Sequence, residues 1–318
     1  MPVEAVHLSV FSDSLSQASR FVKDATAGAG LSAARVGTMF VDFPYFERFG
    51  LAALRFALGR PQPVSHFGDL LHHNQPIALG RMLGEAGVTL SRAIATREAG
   101  QTLLALAMGY ICHAAADTVM HPKVNRLAGQ LAQKTGRQSS QEHHFIEAVH
   151  SLTFHAERFG MPLLGTAKLR AYITIDARFL GQRNLAACVV SDTLRSLHGE
   201  TPSQAEFASY TSGYLLYCAL LGNPLFGPRV CSEKDRLAAK ADLYDAFDFP
   251  NVYAEAVARS RAYMDALGNY LSDGVFDDSA QKTLAATIPE GSIDPQTQTQ
   301  ATHPSERGDS ALRAEQAE

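Results

Sequence analysis

The segment from residue 98 to residue 121 constrains this chain most, because its pattern puts metal-ligand side chains on the apolar face of a helix. His113, Asp117 and His121 follow one another at intervals of four, so a helix places them within an arc of about 80°. Leu106 and Tyr110 share that arc, which an amphipathic helix turns inward. Burying unpaired imidazole and carboxylate groups is unfavourable. The pattern therefore predicts that these groups share a partner, and a divalent metal ion can serve several at once.

A second predicted helix, at 141–160, repeats the same kind of spacing. His143 and Glu147 are four residues apart, and His150 follows three residues later. A lone histidine on an apolar face is usually a hydrogen-bonded core residue. Five side chains of metal-ligand type on two nearby helices are too many to be hydrogen-bonded core residues of this kind. They are also unlike a solvated helix face. The sequence therefore predicts a metal site between these helices.

The fold class follows from periodicity, since alternating strand patterns are nearly absent and helical spacing recurs along the chain. Helices are predicted around 15–25 and 46–56, and at 76–94, 98–121, 141–160, 183–198, 203–221, 233–247 and 251–272. Asp13 and Asn251 are candidate N-caps of the first and last of these. We therefore predict an all-α protein, a multi-helix bundle of eight to ten helices.

Composition sets the domain boundaries. The chain has 318 residues, of which 46% are hydrophobic, enough to bury a sizeable core. We assign residues 1–160 to a metal-binding helical core and 161–288 to further helices packed on the same domain. Residues 289–318 are rich in Gln, Thr, Ser, Glu and Pro, so a disordered tail is expected there.

Charge and hydropathy narrow the classes of partner. The formal net charge is −4 without a basic block, so extended nucleic-acid binding is not expected. The most apolar stretch, 101–120, contains His113 and Asp117, so no transmembrane segment is predicted. No signal peptide is visible, and the four scattered cysteines are typical of buried residues in a reducing compartment. We expect a cytoplasmic protein, while its oligomeric state is not indicated.

Further candidate donors come before residue 98. Asp42 precedes Phe43-Pro44, where the proline ends any helix and leaves the carboxylate at a turn. His66, His72 and His73 follow within a short segment, and His7 lies just before the first predicted helix. None of these residues would indicate a site alone.

In their order along the chain, these motifs resemble the zinc-dependent phospholipase C family, which shares its helical fold with single-strand-specific zinc nucleases. The matching elements are His7-Leu8, Asp42, a histidine in 66–73, Gly109-Tyr110 followed by His113 and Asp117, His121, and His143 followed by Glu147. The resemblance spans residues 7 to about 150 and is moderately specific. No motif after residue 160 matches.

The resemblance implies a ligand set. One zinc ion would be held by Asp42, one histidine of 66–73, His113 and Asp117, and a second by His121, His143 and Glu147. Asp117 could also bridge to a third ion bound by His7. We favour His72 slightly over His66 as the histidine of 66–73. His66, His73 and His150 stay as alternative ligands or as residues that support the ligands.

The implied function is that of a zinc-dependent hydrolase that cleaves a phosphoester with metal-activated water, a phospholipase C-like phosphodiesterase acting on a substrate such as a phospholipid. Asp42 would orient or deprotonate the water. One alternative is a carboxylate-bridged di-iron helical protein, because Glu4 and His7, like Glu147 and His150, have Glu-x-x-His spacing. The Glu4 motif lies before the first predicted helix, which disfavours this alternative. Another is a non-catalytic helical module stabilised by metal.

Overall fold

The computed structural model describes residues 3–51, 65–160, 164–225, 233–291 and 293, and within these ranges it contains helices and no strands. The α-helices are α1 (Val3–Gln17), α2 (Arg20–Ala25), α3 (Ala29–Met39), α4 (His66–His73), α5 (Pro76–Ser91), α6 (Arg97–Thr135), α7 (Ser139–Phe159), α8 (Ala167–Ile173), α9 (Leu185–His198), α10 (Gln204–Leu221), α11 (Glu233–Ala239), α12 (Phe249–Ser272) and α13 (Asp278–Thr287). Short 3-10 turns cover Phe43–Phe46, Ile94–Thr96 and Arg178–Gly181, and a π-helix covers Lys240–Asp245. The predicted all-α class is confirmed.

The number of helices depends on how short ones are counted. Of the thirteen α-helices in the described ranges, nine have ten or more residues, in agreement with the eight to ten expected. The other four, α2, α4, α8 and α11, have six to eight residues. Helices α2 and α11 lie within the predicted segments 15–25 and 233–247, whereas α4 and α8 complete too few turns for hydrophobic periodicity to reveal them.

Helix α6 is the centre of the fold. It is 39 residues long and packs against α3, α5, α7 and α12. By length and composition alone, the segment Ile94–Thr135 could cross a membrane, but 89% of its most apolar stretch is buried inside the protein. Such burial is typical of a core helix around which the others pack.

Helices α3 and α6 approach each other closely because glycines line their contact. A Cβ atom at Gly109 would lie 1.8 Å from the carbonyl oxygen of Ala34, and one at Gly37 would lie 2.0 Å from that of Leu106. Neither position can therefore hold a larger residue without moving a helix. This contact places the end of α3 next to the middle of α6. The turn that carries Asp42 follows α3 and lies there as well.

The first helix begins earlier than its sequence suggests. Glu4 and His7 lie inside α1, not before the first helix, and Asp13 lies in its interior and is not an N-cap. A break at residues 18 and 19 separates α1 from α2. Val6 and Val10 on the buried side of α1 extend the apolar stripe towards the N-terminus, which explains the early start.

Two other helix ends differ from prediction. Helix α6 continues through Pro122 to Thr135, although a proline removes one helical hydrogen bond. Val124 and Ala128 are buried beyond this proline, so packing sustains the helix there. Asn251 is not the N-cap of α12, because that helix already begins at Phe249. Of the helix predicted around 46–56, the structure describes residues 46–51, where Phe46 ends a 3-10 turn and helical structure begins at Phe49, and residues 52–56 lie outside the described residues.

The last residues that the structure describes pack against α4. Ile288 and Ile293 are both 1% exposed, and the Ile293 N–H donates to the carbonyl oxygen of His72 at 3.1 Å. The tail expected from residue 289 therefore starts no earlier than residue 294, because packing extends to Ile293. The rest of that predicted tail lies outside the described residues.

The cysteines only partly fit the expected burial. Cys112 and Cys218 are buried, but Cys188 is exposed on α9. Cys231 lies outside the described residues. Burial raises the pKa of the Cys112 thiol to about 12, although this residue is the sequence neighbour of a candidate ligand. A protonated thiol is a poor metal ligand, so Cys112 does not extend the donor set.

Candidate metal centre

Three groups of donor side chains meet at the centre of the fold. They are the outer group Asp42, His72 and His113, the inner group His7, His113 and Asp117, and the distal group His121, His143 and Glu147. Within each group, one ligand atom from every residue lies within 4.8 Å of the others. The structure therefore contains several candidate metal-binding groups, built from α1, α4, α6, α7 and the turn after α3.

Asp117 is the carboxylate that connects these groups. Its oxygens lie 2.9 Å from Nε2 of His113, 3.4 Å from Nε2 of His7, 3.6 Å from Nε2 of His121 and 3.7 Å from Nε2 of His72. His113 and His121 reach it because each is one helical turn away on α6. The imidazoles of His7 and His72 arrive from α1 and α4.

Asp117 is buried, and four imidazole rings surround its oxygens. The residue is 0% exposed, and neither oxygen accepts a hydrogen bond of good geometry from the described residues. Although burial alone would raise it, the pKa of Asp117 is held far below its ordinary value, because His113 and His121 favour the charged form. A buried carboxylate in this state needs positive charge nearby, from imidazolium groups or from a bound cation.

Two imidazoles of the outer group are held in one tautomer by main-chain carbonyls. Nδ1 of His113 donates to the carbonyl oxygen of Thr38 at 2.8 Å, and Nδ1 of His72 donates to that of Gly68 at 2.8 Å. A carbonyl can only accept, so Nδ1 carries the proton in both rings. In a neutral ring Nε2 then presents its lone pair to the site, the arrangement typical of metal-ligating histidine.

His7 and His113 stack with ring centroids 4.2 Å apart. Burial, together with the neighbouring His113, lowers the pKa of His7 to about 4. Burial would also lower the pKa of His113, but Asp117 and Asp42 raise it to about 9. The two carboxylates therefore favour the protonated form of His113 in the metal-free site.

Glu147 organises the distal group. Its Oε1 lies 2.8 Å from Nε2 of His143 and 4.0 Å from Nε2 of His121, and its Oε2 lies 3.6 Å from Nδ1 of His144. Burial would raise the pKa of Glu147, but His143 holds it well below the ordinary value. The i, i+4 spacing on α7 thus places an ionised carboxylate beside an imidazole.

Exposure differs sharply across the site. The side chains of His113 and Asp117 are each 1% exposed, whereas those of Asp42, His143 and His121 are 21%, 17% and 14% exposed. Although burial raises it, the pKa of Asp42 is lowered by His113 and His72, so this carboxylate is ionised. The centre is therefore closed around Asp117 and opens towards Asp42 and His143.

A cavity of about 20 Å³ lies between the inner and distal groups. Its polar lining comes from His7, Asp117, His121, Glu147 and His150, and its apolar lining includes Phe247 and Phe249. This volume is sufficient for one water molecule or a small ion. His150 lines the cavity while its Nε2 donates to the carbonyl oxygen of Leu243 at 2.6 Å, so that nitrogen is committed to the main chain.

Among the three histidines of 66–73, His72 is the one that α4 places in a donor group of the described residues. His72 is 4% exposed and belongs to the outer group. The side chain of His66 is 66% exposed, and its Nε2 lies 2.6 Å from Oε1 of Glu200. His73 belongs to none of the three groups, with its ring 6.4 Å from that of His72.

The two Glu-x-x-His motifs do not form one donor group among the described residues. Glu4 lies on α1, but its Oε2 accepts a hydrogen bond from the Tyr217 hydroxyl at 2.7 Å. Neither Glu4 nor His150 belongs to a donor group among the described residues. The helical position of Glu4 removes the objection raised from sequence, yet its contacts give the di-iron alternative no support.

Comparisons with known proteins returned no match: no family model, no curated protein and no solved structure matches this chain. The resemblance to the zinc-dependent phospholipase C family accordingly depends on the quoted motifs alone. Function has to be inferred from the donor side chains and their surroundings.

Proposed function

We propose that this protein is a zinc-dependent hydrolase of phosphoesters, acting as a phospholipase C-like phosphodiesterase. The observation that carries the proposal is the convergence of eight side chains with nitrogen or oxygen donors, the buried Asp117 among them. Five separate segments supply these donors, and the order of their motifs is the order found in that family. Divalent metal ions can serve all of these donors at once.

The donor chemistry fits zinc. Each group combines imidazole nitrogens with carboxylate oxygens, a set that zinc accepts readily, whereas magnesium and calcium favour oxygen ligands. The orphaned oxygens of Asp117 and the lone pairs of His72 and His113 provide the negative and neutral ligands required. Nε2 of His113 is free to serve only one of its two groups, so each group has two or three donors and would leave a coordination position for water or substrate, as in catalytic zinc sites.

Electrostatics favours a phosphorylated substrate. Three carboxylates, Asp42, Asp117 and Glu147, oppose two or three divalent ions, so the loaded site is net positive and attracts a phosphate group. When bound, zinc supplies Lewis acidity towards a phosphoryl oxygen and makes water more acidic. Asp42 is the most exposed of the three carboxylates, which suits it to orient the attacking water and accept its proton.

A structural role is the second candidate for the inner group alone. His7, His113 and Asp117 are all nearly inaccessible, and structural zinc sites are typically closed to solvent. An ion there would hold α1 against α6. The outer and distal groups, through Asp42 and His143, are the accessible part to which we assign catalysis. A phosphoester partner and a cytoplasmic location stay predictions.

The proposal is tested with purified protein and a chromogenic nitrophenyl phosphodiester, with and without chelator and after zinc is restored. Phosphatidylcholine vesicles and single-stranded DNA, assayed separately, distinguish a lipid from a nucleotide substrate. We expect chelator-sensitive turnover that zinc restores. Turnover that is absent with every substrate, or unaffected by chelator, would contradict the proposal.

A matched pair of variants on α4 localises the activity. His72→Ala removes a donor of the outer group, so kcat should fall by about 100-fold or more and one zinc ion per chain should be lost. His66→Ala changes an exposed histidine on the same helix and should leave both quantities unchanged. Equal losses of kcat and of bound zinc in the two variants would contradict this assignment of the outer group.

A further inference from the structure

His143 has a side-chain partner outside the donor groups. Its Nδ1 lies 2.7 Å from Oδ1 of Asn125. Asn125 is on α6, one helical turn beyond His121, whereas His143 is on α7. The hydrogen bond therefore joins the two helices that supply the distal group.

This bond determines which nitrogen of His143 faces the site. The amide oxygen only accepts, so Nδ1 of His143 donates and carries the proton. In the neutral ring, the lone pair of Nε2 is then directed at Oε1 of Glu147, 2.8 Å away. Two lone pairs at this distance repel unless a proton or a metal ion interacts with both, so the Asn125 bond directs Nε2 as a ligand.

The other imidazoles with a fixed tautomer use a different kind of acceptor. His72 and His113 donate to the main-chain carbonyls of Gly68 and Thr38, which no substitution at those positions removes. At His143 the equivalent acceptor is a side chain. The contribution of this outer hydrogen bond can therefore be measured at Asn125 without altering a ligand.

We propose that Asn125 is the positioning residue of the distal metal site, holding His143 in the tautomer and ring orientation that zinc requires. The inference rests on the proposed zinc function, because it assigns a role within that same site. Asn125 is half-buried, and so is its hydrogen bond to His143 between α6 and α7. Such outer partners typically contribute 10-fold to 100-fold, as an order of magnitude, to metal affinity.

The test compares Asn125→Leu, which removes the acceptor at similar size, with Asn125→Asp, which keeps an acceptor. Gln130→Leu, at an exposed position on the same helix, is the matched control. Zinc affinity and stoichiometry are measured by competition with a chromophoric chelator. Asn125→Leu should weaken one site by about 10-fold to 100-fold and leave the other zinc unchanged. Asn125→Asp should bind within a few-fold of wild type, and Gln130→Leu should match it.

A second readout does not depend on bound zinc. Proton–nitrogen NMR of the metal-free protein detects the proton on Nδ1 of His143 and its rate of exchange with water. Wild type should show an Nδ1 proton that its hydrogen bond to Asn125 protects from exchange, and Asn125→Leu should lose that protection. Equal protection of this proton, or equal zinc affinity, in Asn125→Leu and wild type would overturn the inference. So would an Asn125→Asp variant that binds as weakly as Asn125→Leu.

The two proposals fail in different ways. If wild type binds no zinc, the proposed function is wrong, and the NMR measurement still decides whether Asn125 fixes His143. If wild type binds zinc and hydrolyses phosphoesters but Asn125→Leu is indistinguishable from it, only the role of Asn125 is wrong.

Discussion

Asp117 and Glu4 are both buried carboxylates, yet their surroundings shift their pKa values in opposite directions. Burial raises both, but His113 and His121 outweigh it at Asp117 and keep that group ionised. At Glu4 burial dominates and raises the pKa to about 7, because its closest polar partner is the neutral Tyr217 hydroxyl. Glu4 therefore exchanges protons near neutrality, whereas Asp117, surrounded by imidazoles, stays charged.

Substitution of Glu4 by glutamine should reveal this difference as a pH dependence of stability. The folded-state pKa of Glu4 lies above the ordinary 4.5, so its stabilising contribution is complete below that pH and is lost as pH rises through about 7. Relative to wild type, Glu4→Gln should therefore gain stability between pH 4 and pH 8, by at most about 3 kcal/mol. Urea unfolding of both proteins in chelator measures it, and a difference that is constant with pH would contradict it.

The candidate donors differ in whether a single helix or the packing of several helices fixes their relative positions. His113, Asp117 and His121 could be grouped from sequence, because one helix fixes their spacing. The sequence favoured His72 over His66 only slightly, because the choice depends on where α4 places each side chain relative to α6. Asn125 gave no distinctive signal beyond its position one turn after His121, since asparagine serves many other purposes on a helix surface.

At the level of helices, Gly109 explains why the motif before His113 contains a glycine. Its hydrogen atom occupies the space where a Cβ would lie 1.8 Å from the Ala34 carbonyl oxygen. That close approach is what allows Thr38 of α3 to accept from Nδ1 of His113. One small residue thus sets both the packing of two helices and the orientation of a donor.

Gly109→Ala should separate α3 from α6, destabilising the protein by about 1–3 kcal/mol or more and weakening zinc binding through the lost bond to His113. Gly129→Ala is the control on the same helix, because a Cβ there meets nothing within 4 Å. That change should instead stabilise by about 0.5–1 kcal/mol, as alanine does within a helix. Thermal unfolding and zinc titration measure both effects. Similar destabilisation by the two alanines would show that helix contact is not the cause.

Helix ends were harder to predict than helix interiors, for physical reasons. Periodicity identified the interiors of α5, α7, α9 and α10, whose buried faces repeat over three or more turns. Proline at 122 suggested an end to α6, but burial of Val124 and Ala128 beyond it stabilises the continuation. At α1, the start at residue 3 depends on packing against α6 and α12, and long-range contacts of this kind leave no local pattern.

For the whole molecule, the candidate centre connects segments that are distant in sequence. Its donors extend from His7 on α1 to Glu147 on α7, and the rest of the described chain supplies helices such as α12 that pack around α6. The order of donors could be seen in the sequence, but not their convergence, which requires α1, α4 and α7 to meet at one level of α6. Bound ions would therefore cross-link the helices in addition to taking part in the reaction.

This cross-linking predicts that zinc stabilises the fold through Asp117. At a free zinc concentration about 1,000 times the dissociation constant, binding to the folded state alone adds about 4 kcal/mol, which should raise Tm by several degrees. Asp117→Asn replaces the carboxylate of the inner group, which also lies 3.7 Å from His72 of the outer group, so most of that zinc-dependent rise should disappear. His66→Ala should keep it in full, because its side chain lies outside all three groups. Scanning calorimetry with zinc and with chelator measures the increment in each protein. A full increment in Asp117→Asn would mean that the ions stabilising the fold bind elsewhere.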